Sequence, residues 1–184
     1  MPPSPDALIV DPELTLDPMS RAIAQAILSG HRPRAGWAPD FPSSGDLRVS
    51  RHFLSTAPST PSMSDAPWGA PLIVREHDVA VGGIGLAGPP KGGCIEVGYG
   101  IVPSAQGRRI ATRSLARLLM SLDGLDLTVV AHTVPSNVAS QRVLEHVGFT
   151  RVESEPGPDG SEMIAWHLVM SARSDQTVKG PKTR

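Results

Sequence analysis

Apolar residues recur along this chain with two different periods, and the change from one to the other divides it. Between Pro18 and Ser29, Ile23, Ala24, Ile27 and Leu28 follow the three-and-four spacing of a helical face, with Asp17 placed to cap the start and Gly30 to stop it. Leu47, Phe53 and Leu54 share a face in the same way and predict a second, short helix beginning near Asp46. From Pro71 onward the period drops to two. Leu72 to Arg75 and Val79 to Leu86 read as strands joined by the polar turn His77-Asp78, a hairpin signal. A Gly/Pro turn over 88–93 leads into Cys94 to Val102, where Ile95, Val97, Tyr99 and Ile101 alternate with Cys94, Glu96, Gly98 and Gly100. A helix over Gly107–Leu122, a strand over Leu127–Thr133 and a helix over Ser136–Val147, stopped by Gly148, come next. Two further strands are expected near Phe149–Glu153 and Met163–Val169. Antiparallel strands followed by strand–helix–strand–helix–strand predict an α+β (mixed α/β) sheet with helices on both faces.

Composition narrows the class. The chain has 184 residues, one domain's worth, and its 40% hydrophobic content is enough for a core. No apolar run approaches the roughly 18–20 residues of a membrane span. Seventeen Lys+Arg against 18 Asp+Glu leave a net charge of −1, which argues against a nucleic-acid-binding module. Cys94 is the only cysteine, so no intramolecular disulfide or Cys-rich zinc site is expected and no metal is assigned. The first residues lack a signal peptide's basic and apolar regions, and a cytoplasmic location is the expectation. Polar stretches at 1–6 and 171–184 read as disordered tails around a single domain over 7–170. The 18 Gly and 19 Pro make up about a fifth of the chain, where average usage gives roughly 12%. Many of the prolines fall in a long irregular stretch, 31–71, together with Trp37, Phe41 and Trp68.

Glycine inside a strand weakens it and marks a bulge or a close approach of ligand or backbone. Gly98 and Gly100 clear one face of their strand, and Glu96 stands on that face at the edge of the slot. A bound ligand is one reading. Relief of twist with Glu96 solvated at the edge is the other. The next helix opens directly after Gly107, so its free N–H groups and positive dipole end suit a phosphate or pyrophosphate, with Arg108, Arg109 and Arg113 adding charge. Arg113 and Arg117, taken singly, fit an ordinary solvated basic face.

Three segments together, Glu96-Val97-Gly98-Tyr99-Gly100-Ile101-Val102-Pro103, Gln106-Gly107-Arg108-Arg109-Ile110-Ala111-Thr112 and Asn137 through Phe149, resemble the GNAT superfamily of acyl-CoA-dependent N-acetyltransferases. Within it, the resemblance is to the branch containing the ribosomal-protein N-terminal alanine acetyltransferases, and it covers about residues 72–169. It implies the acyl-CoA N-acyltransferase fold, a twisted, mostly antiparallel sheet of roughly six to seven strands. It also implies acetyl-CoA as cosubstrate, with Ile101 and Val102 offering backbone groups to the pantetheine arm, Gly107, Arg108, Arg109, Ile110, Ala111 and Thr112 cradling the pyrophosphate, and Asn137 contacting the pantetheine region. Ser136 is an equally good helix cap, which leaves Asn137 for a ligand. The family's loop carries glycine where this chain has Arg109, which is tolerated if the backbone there is already helical and weakens cofactor binding if it needs a positive φ. The helical alternative is the expectation.

The activity implied is transfer of an acetyl group to a primary amine of a small molecule or a protein N-terminus by direct attack on the thioester. An alkylammonium must first lose a proton, a task for Glu96 directly or through water, with His132 a second candidate base. A backbone N–H near Val102 polarises the thioester carbonyl. Many relatives carry a tyrosine on the later helix where this chain has Leu144. Ser140, on the inward face of that helix, is the candidate to serve the departing sulfur or hold a water, or else it bonds back to its own helix. Tyr99 reads as core. Trp37, Asp40 and Phe41 are the expected acceptor-site residues, with Asp46 and Trp68 nearby and Asp40 or Asp46 available to a cationic amine. The partners expected are that amine acceptor and no nucleic acid or membrane, in a monomer or homodimer. A non-catalytic acyl-CoA-binding or regulatory module of the same fold is the alternative.

Overall fold

The computed structural model describes residues 13–30, 36–56, 68, 70–157 and 160–171; the expected tails, apart from Ser171, fall outside them. The chain opens with a strand the apolar pattern did not predict, β1 (Leu14–Pro18), followed by helices α1 (Arg21–Ser29) and α2 (Ser44–Thr56). Strands β2 (Leu72–Glu76), β3 (Val79–Leu86) and β4 (Cys94–Ile101) follow, then α3 (Ile110–Met120), β5 (Leu127–Thr133), α4 (Val138–Val147), β6 (Thr150–Pro156) and β7 (Glu162–Met170). They form one seven-stranded sheet in the order β1-β2-β3-β4-β5-β7-β6. The β4–β5 pair is parallel and the other neighbours are antiparallel.

Asp17 is not the cap of α1. It lies in β1 and pairs with Arg75 at 2.8 Å, and Ser20 takes the cap, its Oγ accepting from the Ile23 N–H. Gly30 ends the helix at φ 70°, as expected. The β2–β3 hairpin turns at His77 and Asp78, both at positive φ, the geometry of a tight two-residue turn. Helix α2 begins with a reciprocal cap. Asp46 Oδ2 accepts from the Ser43 N–H and hydroxyl, and Ser43 Oγ accepts from the Asp46 N–H.

Two faces follow from the contacts. Asp46 presses against Gly83, which pairs with Gly100, so α2 lies on the glycine face of β4. Tyr99, one residue out of phase, meets Ser140 of α4, and α4 packs against α3, so those two helices cover the opposite face. There Ile95, Val97, Leu115, Leu118, Val129, Leu144 and Trp166 are buried together, each contributing about 1.5–3 kcal/mol relative to exposure. The indole Nε1–H of Trp166 donates to Thr133 Oγ1 at 3.0 Å, so this buried polar group is paired. No helix among the described residues is long and apolar enough to cross a membrane.

Candidate active site

The sheet splits at its centre. Parallel pairing joins Cys94, Ile95 and Glu96 to Thr128, Val129 and Val130. Beyond that rung β4 continues to Ile101 against β3, while β5 continues to Thr133 against β7, and the two strands part company. The phase of the ladder decides which backbone groups face the gap. Val102 N–H donates to Val81 O and Ala87 N–H to Glu96 O, so the even-numbered residues of β4 bond to β3. Thr128 N–H donates to Gly93 O, which puts the odd-numbered residues on the β5 side. The peptide groups of Val97, Tyr99 and Ile101 therefore face the wedge. Gln106 Nε2 donates to Ile101 O at 2.9 Å and ties the following loop to the strand end. Val102 does not share this placement. It is fully buried, its N–H is bonded to Val81 and its C=O accepts from the Ala105 N–H, so neither group is available to a ligand or a thioester carbonyl.

Gly98 and Gly100 border open space: among the described residues, none beyond their chain neighbours comes within 4 Å of where a Cβ would stand. A cleared slot beside Glu96 is thus present in the fold.

At the wide end of the wedge, α3 begins three residues later than the expected helix, because Gly107 and Arg109 both adopt left-handed backbone, at φ 78° and 58°. The expectation of a helical Arg109 is overturned. This residue occupies the conformation glycine favours, at a cost of about 1–2 kcal/mol for an L side chain. The first bond of the helix runs from Arg113 N–H to Arg109 O, so the N–H groups of Arg109 through Thr112 are the orphan donors of the helix start, and those of Gly107 and Arg108 come just ahead of them. The surrounding cations are not equivalent. Arg108 lies 2.5 Å from Glu76, which is buried at the end of β2, and Arg113 reaches the same carboxylate at 3.5 Å. Arg117 donates to Leu14 O at 2.7 Å and anchors β1 rather than facing solvent alone. A pocket of about 150 Å³ beside the helix start is lined instead by Arg109 and Thr112 together with Arg142, Val143 and His146 of α4. Arg142 and His146 were not singled out from the sequence, although their spacing of four puts them on one helical face.

Asn137 is the N-cap of α4. Its side-chain oxygen accepts from the Ser140 N–H at 3.1 Å, displacing Ser136 from the role expected of it. Ser140 Oγ lies 2.9 Å from the Tyr99 hydroxyl, a pairing that the two faces of the sequence pattern did not reveal. Burial pushes the Tyr99 hydroxyl up to about 12, against a smaller opposing effect of its bond to Ser140. It therefore stays protonated at neutral pH. Leu144 is fully buried in the core.

On the glycine face, Glu96 Oε1 lies 3.0 Å from Nδ1 of His132, two positions past the last β4–β5 rung. The two candidate bases are thus one pair, with the carboxylate half exposed and the imidazole mostly covered.

The three expected acceptor residues hold the α1–α2 connection to the sheet. Phe41 is buried in the core. Trp37 meets it edge to face at 5.0 Å and pairs along Ala80 of β3. Asp40 accepts from the Ser104 N–H and hydroxyl at 2.9 and 2.6 Å, so its carboxylate is spent fastening this segment to the turn after β4. Asp46 is buried in its cap. Burial raises its carboxyl above the usual range despite the bonds from Ser43. Trp68 packs half-buried against the core.

The sequence profile described as "Acetyltransferase (GNAT) domain" matches residues 13–150. No curated protein matches the chain. Among solved structures, a spermidine N-acetyltransferase SpeG variant from Vibrio cholerae superposes with a TM-score of 0.60 at 16% identity, over 86% of this chain and 95% of its own. RimL, a ribosomal L7/L12 α-N-protein acetyltransferase in complex with coenzyme A, gives 0.62 at 17% identity, over 90% and 98%. YncA from Salmonella typhimurium, called an acetyltransferase with its cofactor acetyl-CoA, gives 0.57 at 18% identity, over 93% and 99%. At such identities the likeness is one of fold.

Proposed function

The chain belongs to the GNAT acetyltransferase family, whose activity is acetyl-CoA-dependent N-acetylation, and from that premise we propose that it acetylates a primary amine by direct attack on the thioester. The observation that carries this reading is the wedge itself, which ends on a run of orphan amides. A strand edge at Val97, Tyr99 and Ile101 suits an amide-bearing arm such as pantetheine, which adds to it as another strand would. The donors of Gly107, Arg108, Arg109, Ile110, Ala111 and Thr112 suit a pyrophosphate, and the left-handed turn at Gly107 and Arg109 is what fans them out ahead of the helix. Arg109, Arg142 and His146 ring the adjoining pocket and favour a further phosphate. The residues present fit coenzyme A.

Acetyl-CoA supplies the carbonyl carbon that the amine nitrogen attacks, the C–N bond forming as the C–S bond breaks and its electron pair leaves with sulfur. The proton accounting belongs to the chain. The Glu96–His132 pair stands where β4 and β5 part and takes the proton that frees the amine's lone pair. Tyr99, held protonated, shares a hydrogen bond with Ser140 Oγ and holds the serine hydroxyl where it can serve the departing sulfur. The Asn137 NH₂, unused by its capping oxygen, remains a donor toward the pantetheine arm. The acceptors named for the structural neighbours, spermidine and a ribosomal protein N-terminus, frame the class to be tried. Incubating the protein with acetyl-CoA and a panel of amines and peptides, then following free CoA and acetylated product by mass spectrometry, tests the proposal. Tight CoA binding without product from any acceptor would refute it.

A further inference from the structure

Building on the acetyl-transfer reading, we infer that His132 is the residue that deprotonates the acceptor, that Glu96 positions it, and that the acceptor is a cationic amine seated in a depression on the open face of β5–β7. The pair's chemistry is directional. A carboxylate only accepts hydrogen bonds, so the 3.0 Å contact requires a hydrogen on Nδ1 of His132, and the basic lone pair then resides on Nε2. Glu96 stands on the last paired rung of β4 and His132 two residues beyond the matching rung of β5, so the contact bridges the strands where their backbone pairing stops. The ring is thereby held at the mouth of the wedge, between the thioester's expected track and the face beside it.

That face carries a depression of about 570 Å³ whose wall includes His132 itself. Val130, Val152 and Ala165 give it an apolar floor, and Glu153 and His167 supply its other ionisable groups. Val130 pairs with His167 and Ala165 with His132 across the β5–β7 ladder, so these side chains share one face. Among the described residues the lining holds a carboxylate and neither Lys nor Arg, which suits an alkylammonium and disfavours an acceptor carrying its own carboxylate next to the amine. Among the described residues, Glu96 of β4 contacts the imidazole, and Glu153 of β6 and His167 of β7 are the ionisable groups that line the depression with it. Of the three protons on the bound ammonium nitrogen, one passes to His132 and on to water, one ends on the departing sulfur, and one stays on the amide nitrogen.

The assay uses the full chain, saturating acetyl-CoA, and two probes, spermidine and a short peptide with a free N-terminus, across pH 6 to 10. His132→Gln is expected to lower kcat/KM about 10²–10⁴-fold near neutrality, with the loss shrinking at high pH as the acceptor deprotonates unaided. Glu96→Gln is expected to lower it less and to add nothing to His132→Gln in the double variant, as for residues acting as one unit. Glu153→Gln raises KM for spermidine and leaves kcat in place. All three variants should bind CoA by calorimetry as the parent does. Activity of His132→Gln within about threefold of the parent, or independent losses in the double variant, overturns the inference. Parent protein that binds CoA but acetylates neither probe overturns the acceptor seat, whereas failure to bind CoA overturns the cofactor reading beneath it.

Discussion

Replacing Arg109 by glycine and, separately, by alanine separates two effects that meet in one residue. The backbone at Arg109 has φ 58° and ψ 18°, a conformation costing about 1–2 kcal/mol for any L side chain and almost nothing for glycine. Glycine adds freedom to the unfolded chain, which offsets about 0.4–1 kcal/mol of that gain. The net expectation for Arg109→Gly is a stabilisation of about 0.5–1 kcal/mol, an upward shift of roughly 1–4 °C in Tm for a chain of this size. Arg109→Ala keeps the strained φ, so its Tm stays at or slightly below that of the parent. Both variants remove the same guanidinium from the α3 start. Arg109 is exposed, so its attraction to a bound phosphate is discounted to about 1 kcal/mol, or about fivefold in Kd. Differential scanning calorimetry and CoA titration on the three proteins measure both quantities. An Arg109→Gly protein no more stable than Arg109→Ala, or either variant binding CoA as tightly as the parent, would refute these roles for Arg109.

Three further outcomes follow from the contacts. Gly100→Val fills the open slot beside Glu96 and should cut turnover at least tenfold while moving Tm little, since no described residue beyond its chain neighbours stands within 4 Å of the new Cβ; a large loss of Tm in thermal melts would contradict this. Glu76→Gln leaves Arg108 and Arg113 without their buried carboxylate and should cost about 1–2 kcal/mol in urea melts, discounted because both arginines are partly exposed; an unchanged midpoint would show the cluster to be inert. For Asp46 the sign is set by burial. Its folded pKa is raised, so the native state binds the proton more tightly, and the associated stability is complete below about pH 3.8 and lost as pH rises through the raised value. Asp46→Asn keeps an acceptor oxygen for the Ser43 cap and removes that decline. Its Tm relative to the parent should therefore improve from pH 3.5 to pH 7, and a relative loss over that range would reverse the argument.

How much of this was legible in the sequence depended on whether local pattern or distant contact decided the matter. Strand β5 lies at Leu127–Thr133 as expected, because Leu127, Val129, Ala131 and Thr133 are buried in strict alternation. The glycine face of β4 beside Glu96 was legible for the same reason. Strand β1 was not, since its five residues end in Asp17 and Pro18 and read as the entry to a helix until Arg75 claims the aspartate. Asp40 shows the same limit. Its carboxylate looked available to an amine, and only the fold brings Ser104 across 64 positions to occupy it. The conformation of Arg109 was the one point where a glycine-bearing resemblance carried better information than the residue itself. The Glu96–His132 and Tyr99–Ser140 pairs each join residues far apart in the chain that are individually ordinary, so composition and spacing gave no sign that they meet.

A crystal structure of the protein with coenzyme A bound tests the central claim most directly. The account predicts the pyrophosphate within hydrogen-bonding distance of the amides of residues 107–112, with the pantetheine arm running along Val97, Tyr99 and Ile101 and its thiol near Glu96 and His132. Coenzyme A bound with its pyrophosphate away from those amides, or its arm outside the β4–β5 wedge, would contradict it.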